Sequence, residues 1–406
     1  MKRSFKYRCY PSVKQEKKIG VQLFLAKTLY NYLLDESKKS YKETGKTLSK
    51  NELEKLIVKV KSEQPIYRKV HSQVLQNVSD RLSKAYKNFF RRCGEKKAGS
   101  GVKVGYPRFK SFVSSLTYPQ EGVGFELLEK KVWLSKIGGL KIIKDRELEG
   151  RAKTLTLKRV KSGGWFACVS VEIADKSFKP NKKPMVGVDL GLRELAVLSD
   201  GVVIGNPLIK KSLERKEVKL HKVLSRKKLG SKNRRKAKVK LSRFSEKMTN
   251  RNNDFLHKFS HSLVSDYGLI AYEGLAVKNM VRNHCLAKSI SEASWGFLLR
   301  LLQYKAESAG CVTVEVNPKN TSKTCSECGS IQEMPLSERT FNCKKCGMSK
   351  DRDLNASINI LKRATTAGLA GSHAFGDDVR PQGEAVIAEK GTIFDDKSSL
   401  ETLTFM

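Results

Sequence analysis

Residues 3–9 alternate polar and apolar side chains, the period of a half-buried strand, and Tyr10-Pro11-Ser12 breaks the run. Beyond it, to about residue 44, Val21, Leu23, Phe24, Ala26, Leu29, Tyr30 and Leu33 recur largely at intervals of three and four, which predicts a helix packing one face. Further helices are expected over about 51–62 and about 70–92. In the latter, Val74, Leu75, Val78, Leu82, Tyr86, Phe89 and Phe90 mark the buried stripe, with Lys69, Lys84, Lys87, Arg91 and Arg92 around it. Gly99-Ser100-Gly101 and Gly105-Tyr106-Pro107 end this helical block. From about 115 to 175 the period changes to two. Short runs at 132–134, 140–143, 154–157 and 165–171, separated by glycine-containing or charged turns, predict a small antiparallel barrel. Because 3–9 is also strand-like, the helical block reads as an insertion into that barrel.

Lys179-Pro180-Asn181-Lys182-Lys183-Pro184, with two prolines and three lysines, marks a domain boundary. Strands then alternate with helices to about 365. The run 185–191 has the pattern of a buried strand, and 195–198 and 202–204 are expected as the next two antiparallel strands. The strand 269–272 would lie beside the first, followed by a helix over about 295–309, a strand at 311–316 and a last helix with Leu354, Ala356, Ile358, Ile360 and Leu361 as its apolar positions. This order, opening on a three-strand meander, is that of an RNase H-like fold. From about 366 onward no period is sustained, and 371–406 is expected to be a flexible tail.

A chain of 406 residues exceeds one ordinary core and fits two or three domains. Lysine and arginine number 80 against 41 aspartates and glutamates, a formal net charge of +39 that repels itself unless a polyanion neutralises it. A nucleic-acid partner is therefore expected. No stretch approaches the roughly 18 apolar residues of a membrane-spanning helix, and the start of the chain has no apolar signal segment, so no membrane partner and a cytoplasmic location are expected. Cys9, Cys93, Cys168, Cys285 and Cys311 are scattered, which suits a reducing compartment better than a disulfide framework.

Three carboxylates end or begin separate elements: Asp189 after Met185-Val186-Gly187-Val188, Glu273 after Leu269-Ile270-Ala271-Tyr272, and Asp353 in Asp351-Arg352-Asp353-Leu354-Asn355-Ala356. Acids converging from different elements can hold two magnesium ions about 3.5–4 Å apart, which stabilise the attacking and leaving oxygens of phosphodiester hydrolysis. Asp351 and Asp353 compete for the third position. Residues two apart on a helix point about 200° apart, so one cluster takes one of them; Asp353 is chosen, and Asp351 then serves as a helix cap. Each carboxylate alone has an ordinary reading, as a turn residue or a surface acid, and it is the set that points to catalysis.

Cys325-Ser326-Glu327-Cys328 and Cys343-Lys344-Lys345-Cys346 are two C-x-x-C pairs separated by a short loop, the ligand spacing of one structural zinc ion; a redox pair would not need two copies. Between 210 and 247 the chain is dense in Arg226, Lys227, Lys228, Lys232, Arg234, Arg235, Lys236, Lys238, Lys240 and Arg243, with acids only at Glu214, Glu217 and Glu246. It reads as a basic helical hairpin turning near Gly230-Ser231. A solvated face is the ordinary reading of a charge run, but so one-sided an excess favours phosphate contact, with Arg226, Lys227, Arg234 and Arg235 as candidates. Tyr106, Arg108, Phe109 and Lys110 combine rings with cations, suited to base stacking and phosphate binding, although the rings could equally pack in a core. Gln73 and Gln76 carry amides able to read adenine edges.

The segments Gly105-Tyr106-Pro107-Arg108-Phe109-Lys110, Gly187-Val188-Asp189-Leu190-Gly191, Tyr272-Glu273-Gly274-Leu275, Asn320-Thr321-Ser322-Lys323-Thr324-Cys325-Ser326-Glu327-Cys328-Gly329 and Asp351-Arg352-Asp353-Leu354-Asn355-Ala356 together resemble the TnpB family, insertion-sequence nucleases related to type V CRISPR effectors. The resemblance implies a wedge-like β-barrel at 1–10 and 95–180, a helical recognition region at 11–94, an RNase H-like RuvC nuclease domain at 181–320 and 350–370, and a zinc-binding insertion at 321–349. It implies an RNA-guided DNA endonuclease that recognises a short flanking motif while guide RNA pairs with target double-stranded DNA. Asp189, Glu273 and Asp353 would then be the catalytic acids, and the helix carrying Gln76 a reader of the motif. Two other functions stay open: a guide-RNA-dependent DNA-binding regulator without cleavage, and an RNA-independent recombinase of RNase H-like fold.

Overall fold

In the computed structural model, which describes residues 2–173, 181–207, 209–335 and 337–370, the first strand, β1 (Lys2–Tyr10), turns Phe5, Tyr7 and Cys9 inward, as its alternation predicts. Three helices follow: α1 (Val13–Thr44), α2 (Lys50–Glu63) and α3 (Ser72–Lys97). Reciprocal hydrogen bonds between Ser12 and Gln15, and between Ser49 and Glu52, start the first two by occupying amides that lack partners within the helix. α1 buries Ile19, Gln22, Leu25, Ala26, Leu29, Tyr30, Leu33 and Leu34. Val21 and Phe24, expected on that face, are exposed. Each stands two residues from the seam through Ile19 and Gln22, about 200° around the helix. On α3 the stripe runs from Val74 to Tyr86 and stops there: Phe89 is half-buried and Phe90 exposed.

The chain then forms β2 (Ser115–Tyr118), β3 (Phe125–Leu127), β4 (Lys131–Leu134), β5 (Gly138–Ile143), β6 (Arg151–Arg159) and β7 (Trp165–Glu172). With β1 they make one antiparallel sheet in the order β2-β6-β7-β1-β5-β4-β3. Its end strands β2 and β3 are neighbours in sequence, so the sheet curls nearly into a closed barrel. The helices and the sheet share one core that includes Tyr7, Leu29, Leu75, Leu116, Tyr118 and Val169.

The remaining elements are β8 (Met185–Asp189), β9 (Glu194–Leu198), β10 (Val203–Gly205), α4 (Ile209–Ser212), α5 (Glu214–Ser225), α6 (Lys232–Asp266), β11 (Leu269–Glu273), α7 (Val277–Met280), α8 (Ala287–Ala293), α9 (Trp295–Ala309), β12 (Val312–Val316), β13 (Thr340–Asn342), β14 (Ser349–Asp351) and α10 (Arg352–Ala370). A five-stranded sheet has the order β10-β9-β8-β11-β12. Its first three strands form an antiparallel meander, while β11 runs parallel to both β8 and β12. Residues of α6 and α9, including Leu256, Phe259, Leu298 and Leu302, pack with Val186, Val188, Ile270 and Tyr272.

A second cluster joins α10 to the sheet through Ala271, Val316, Ile360 and Ala364. A Cβ at Gly187 would lie 2.1 Å from the Ser357 carbonyl oxygen and 2.8 Å from the Leu361 nitrogen, so glycine lets α10 seat on β8. The buried face of α10 differs from expectation. Ala356 and Ile360 are buried, but so are Asn355, Ser357 and Asn359, while Leu354, Ile358 and Leu361 are only half-buried. Residues 174–180, which include the start of the expected interdomain joint, and the expected tail at 371–406 lie outside the described residues.

Candidate functional site

Asp189 and Glu273 are the last residues of adjacent parallel strands, with Tyr272 opposite Val188 in register, so both carboxylates leave the same end of the sheet. Asp353, the second residue of α10, reaches that end as the helix crosses β8. Desolvation pushes Asp189 up to about 8, reinforced by the charges of Glu273 and Asp353. Burial raises Glu273 as well, opposed by a hydrogen bond from Thr321 Oγ1 to its Oε1. Burial and then Asp351 raise Asp353, against Arg339, whose Nη1 stands 3.7 Å from Asp353 Oδ2. Asp351 Oδ1 accepts from the backbone amides of Asp353 at 2.9 Å and Leu354 at 3.1 Å, the capping geometry expected of it.

The four cysteine sulfurs all lie within 4.8 Å of one another, with Cys325 to Cys346 at 3.7 Å and Cys328 to Cys343 at 3.6 Å. No other group of three such donors is this close among the described residues, the three carboxylates included. The two halves repeat one turn: the Gly329 amide donates to the Cys325 carbonyl, the Gly347 amide to that of Cys343, and both glycines have φ of 73°. Left-handed backbone at these two positions favours glycine. A hydrogen bond from Ser330 is the largest influence lowering the Cys343 thiol, to about 5, and so favouring the thiolate that binds metal. Four sulfurs in a closed set fit one structural zinc. Phe341 and Met334 form the small core around Cys325 and Cys343.

The loop leading into the first cysteine pair is tied to α10 by side chains that sequence reasoning missed. Asn355 Oδ1 accepts from the Ser326 amide and its Nδ2 donates to the Thr324 carbonyl, both at 2.8 Å. Asn359 Nδ2 donates to the carbonyls of Thr321 at 3.0 Å and Thr324 at 2.6 Å. The available signal was two asparagines four apart on one helix face, beside a segment rich in backbone carbonyls to satisfy.

The expected nucleic-acid residues are distributed over two surfaces. Gln76 is exposed on α3, while Gln73 Nε2 donates to Gln120 Oε1 at 2.8 Å and turns toward the β2–β3 connection. The Tyr106 hydroxyl meets that of Tyr86 at 2.9 Å and its ring stands edge-on to Tyr86 and Phe89, so this ring packs against the protein. Arg108 is exposed; Lys38 Nζ lies 4.2 Å from the exposed Phe109 ring. Lys110 is fixed through its backbone, which exchanges hydrogen bonds with the Asn31 amide side chain. On the α5–α6 hairpin, Arg226, Lys227 and Arg235 are exposed. Arg234 is instead occupied, its Nη1 donating to the Leu224 carbonyl at 2.9 Å and the Lys227 carbonyl at 3.0 Å at the end of α5.

Three family models match the chain: one described as "Helix-turn-helix domain" over residues 1–46, one as "Probable transposase" over 168–284, and one as "Cas12f1-like, TNB domain" over 295–360. Over 1–46 the structure has a strand and a single long helix rather than two helices. A Streptomyces pristinaespiralis protein named as an RNA-guided DNA endonuclease is 32% identical over 393 residues, spanning 95% of this chain and 94% of its own. A TnpB-like protein of Acanthamoeba polyphaga mimivirus is 30% identical over 227 residues, 52% of this chain and 43% of its own. Among solved structures, the mini-RNA-guided endonuclease CRISPR-Cas_phi3 aligns over 90% of this chain and 92% of its own at 11% identity, with a TM-score of 0.48.

Proposed function

The chain belongs to the TnpB family, and on that premise we propose that it is an RNA-guided DNA endonuclease of an insertion sequence, which recognises a short flanking motif and cleaves target DNA by two-metal hydrolysis. The observation that carries this reading is the convergence of Asp189, Glu273 and Asp353 at one end of the five-stranded sheet, where desolvation raises all three carboxyls and the charges of Glu273 and Asp353 raise Asp189 further, so that a cation would relieve the cost of ionising them together. Such a site fits magnesium, a hard cation that takes one or two carboxylates and keeps several waters. When bound, two magnesium ions supply stabilisation of the attacking and leaving oxygens. Asp189, Glu273 and Asp353 would hold them.

In this reading, 181–320 and 350–370 form an RNase H-like RuvC nuclease domain, supported by the meander β8-β9-β10 and the parallel pair β8 and β11. The insertion 321–349 holds one structural zinc, supported by its four sulfurs. The barrel of 1–10 and 95–180 and the helices of 11–94 form the surface that meets the flanking motif, with exposed Gln76 as a reader of base edges. Arg226, Lys227 and Arg235 contact the phosphates of guide RNA or DNA. None of the nine cysteines is paired in a disulfide, and with four of them given to zinc this fits a reducing compartment such as the cytoplasm.

The test uses protein purified with the RNA transcribed from its own locus, presented with a DNA duplex matching the guide and carrying a library of flanking sequences. Wild-type protein should give magnesium-dependent double-strand breaks at matched sites next to one motif. Asp189→Ala should abolish the breaks and leave guide-dependent DNA binding intact. Binding without breaks in the wild type would establish a regulator. Strand-transfer products with no discrete bound RNA would establish a recombinase.

A further inference from the structure

Thr321 is 2% exposed, lies four residues before the first zinc-knuckle cysteine, and points its hydroxyl at Glu273 Oε1. The same hydroxyl is 3.2 Å from the Pro318 carbonyl. One proton serves one acceptor at a time, and an ionised carboxylate accepts the stronger bond. Thr321 is held from the other side by Asn359, itself 5% exposed, on the helix that begins with Asp353. A continuous chain of hydrogen bonds therefore runs from α10, through the knuckle loop, to the carboxylate of β11.

We infer that Thr321 is a positioning residue: its hydroxyl engages Glu273 Oε1 and thereby leaves Oε2 as the oxygen presented to a divalent cation, while Asn359 locks this arrangement to the helix that carries Asp353. This rests on the reading of Glu273 as a metal ligand. A carboxylate pinned through one oxygen is held in one rotamer and offers a single-oxygen ligand. Without the pin, Glu273 is free to rotate or to turn both oxygens to one ion, and the distance it keeps from Asp189 is no longer set. The link has a second consequence: because Asn359 grips both Thr321 and Thr324, the loop that enters the zinc knuckle is coupled to the position of Glu273 as well as to the helix that carries Asp353.

The experiment compares Thr321→Ser, which keeps the hydroxyl, with Thr321→Ala, which differs from it by the hydroxyl alone. Two readouts are taken: Mg2+ titrated calorimetrically into full-length, zinc-loaded protein free of nucleic acid, and the Mg2+ dependence of cleavage by the guide-loaded complex. Removal of groups that orient a metal ligand typically costs about 10–100-fold in metal affinity or activity. Thr321→Ala is expected to need roughly ten-fold more Mg2+ in both readouts, with zinc content and melting temperature equal to those of Thr321→Ser, and Thr321→Ser to match wild type. Equal Mg2+ dependence in the two variants overturns the inference, as does an early melt or zinc loss in Thr321→Ala that accounts for its defect. Glu273→Gln separates this failure from that of the underlying reading: if it cleaves and binds Mg2+ like wild type, Glu273 is not a ligand and both fall; if it is inactive while Thr321→Ala is normal, only the inference falls.

Discussion

At the scale of single residues, the candidate site is a store of unfavourable charge. Asp189 is held at about 8, against an ordinary value of 3.8, by desolvation and then by Glu273 and Asp353. A carboxyl whose folded value is raised favours the fold while protonated. That contribution is complete below about pH 4 and is lost as pH rises through about 8. In metal-free protein the melting temperature should therefore fall across this window, and Asp189→Asn should flatten the fall. Equal slopes in the two proteins would assign the effect to other groups. Added Mg2+ should restore stability most at the alkaline end, where the carboxylates are already ionised and a cation displaces no proton. Arg234 shows the converse, a charge with an internal use: it closes the carbonyl end of α5, so its high charge density in sequence disguised a cap.

At the scale of elements, the seat of α10 on β8 decides whether Asp353 reaches Asp189. Gly187→Ala would place a methyl 2.1 Å from the Ser357 carbonyl, and backbone must shift to admit it. We expect a loss of about 1–3 kcal/mol by denaturant melting, in the range of overpacked cores, together with a fall in cleavage larger than the stability loss accounts for. Normal cleavage in a folded Gly187→Ala protein would show that the seat is not what aligns Asp353. Periodicity made most elements legible: α9 matches its expected limits, and the parallel neighbour of β8 follows from two apolar runs that end in acids. β2 and β3 were not among the expected strands, although the equally short β4 and β10 were, so length alone does not account for the omission. The faces of α1 and α10 were misread for different reasons. On α1 several apolar residues lie off the seam, and hydropathy alone cannot rank them. On α10 the buried face is partly polar because it satisfies the carbonyls of a neighbouring loop, a demand visible only once the loop is beside it.

At the scale of the whole molecule, the net charge of +39 makes binding to a polyanion depend on salt, through release of the counterions around it. Replacing Arg226, Lys227 and Arg235 by alanine together should weaken RNA binding at low salt and reduce the slope of log affinity against log salt by about 1 for each phosphate no longer neutralised. Arg234→Ala should lower the melting temperature of the hairpin and leave that slope nearly unchanged. A slope equal to wild type in the triple variant would return those three side chains to a solvated face. The sheet order carries one more implication. β1 lies between β5 and β7, whose residues are 138–143 and 165–172. A ribosome delivers β1 first, and at roughly 5–20 residues per second the strand waits several seconds for its neighbours while α1, α2 and α3 emerge and coil. A nascent chain that stalls before residue 165 holds β1 with at least one edge unpaired, a template for other chains. Translation speed through the first 172 codons is thus part of how this sheet is assembled.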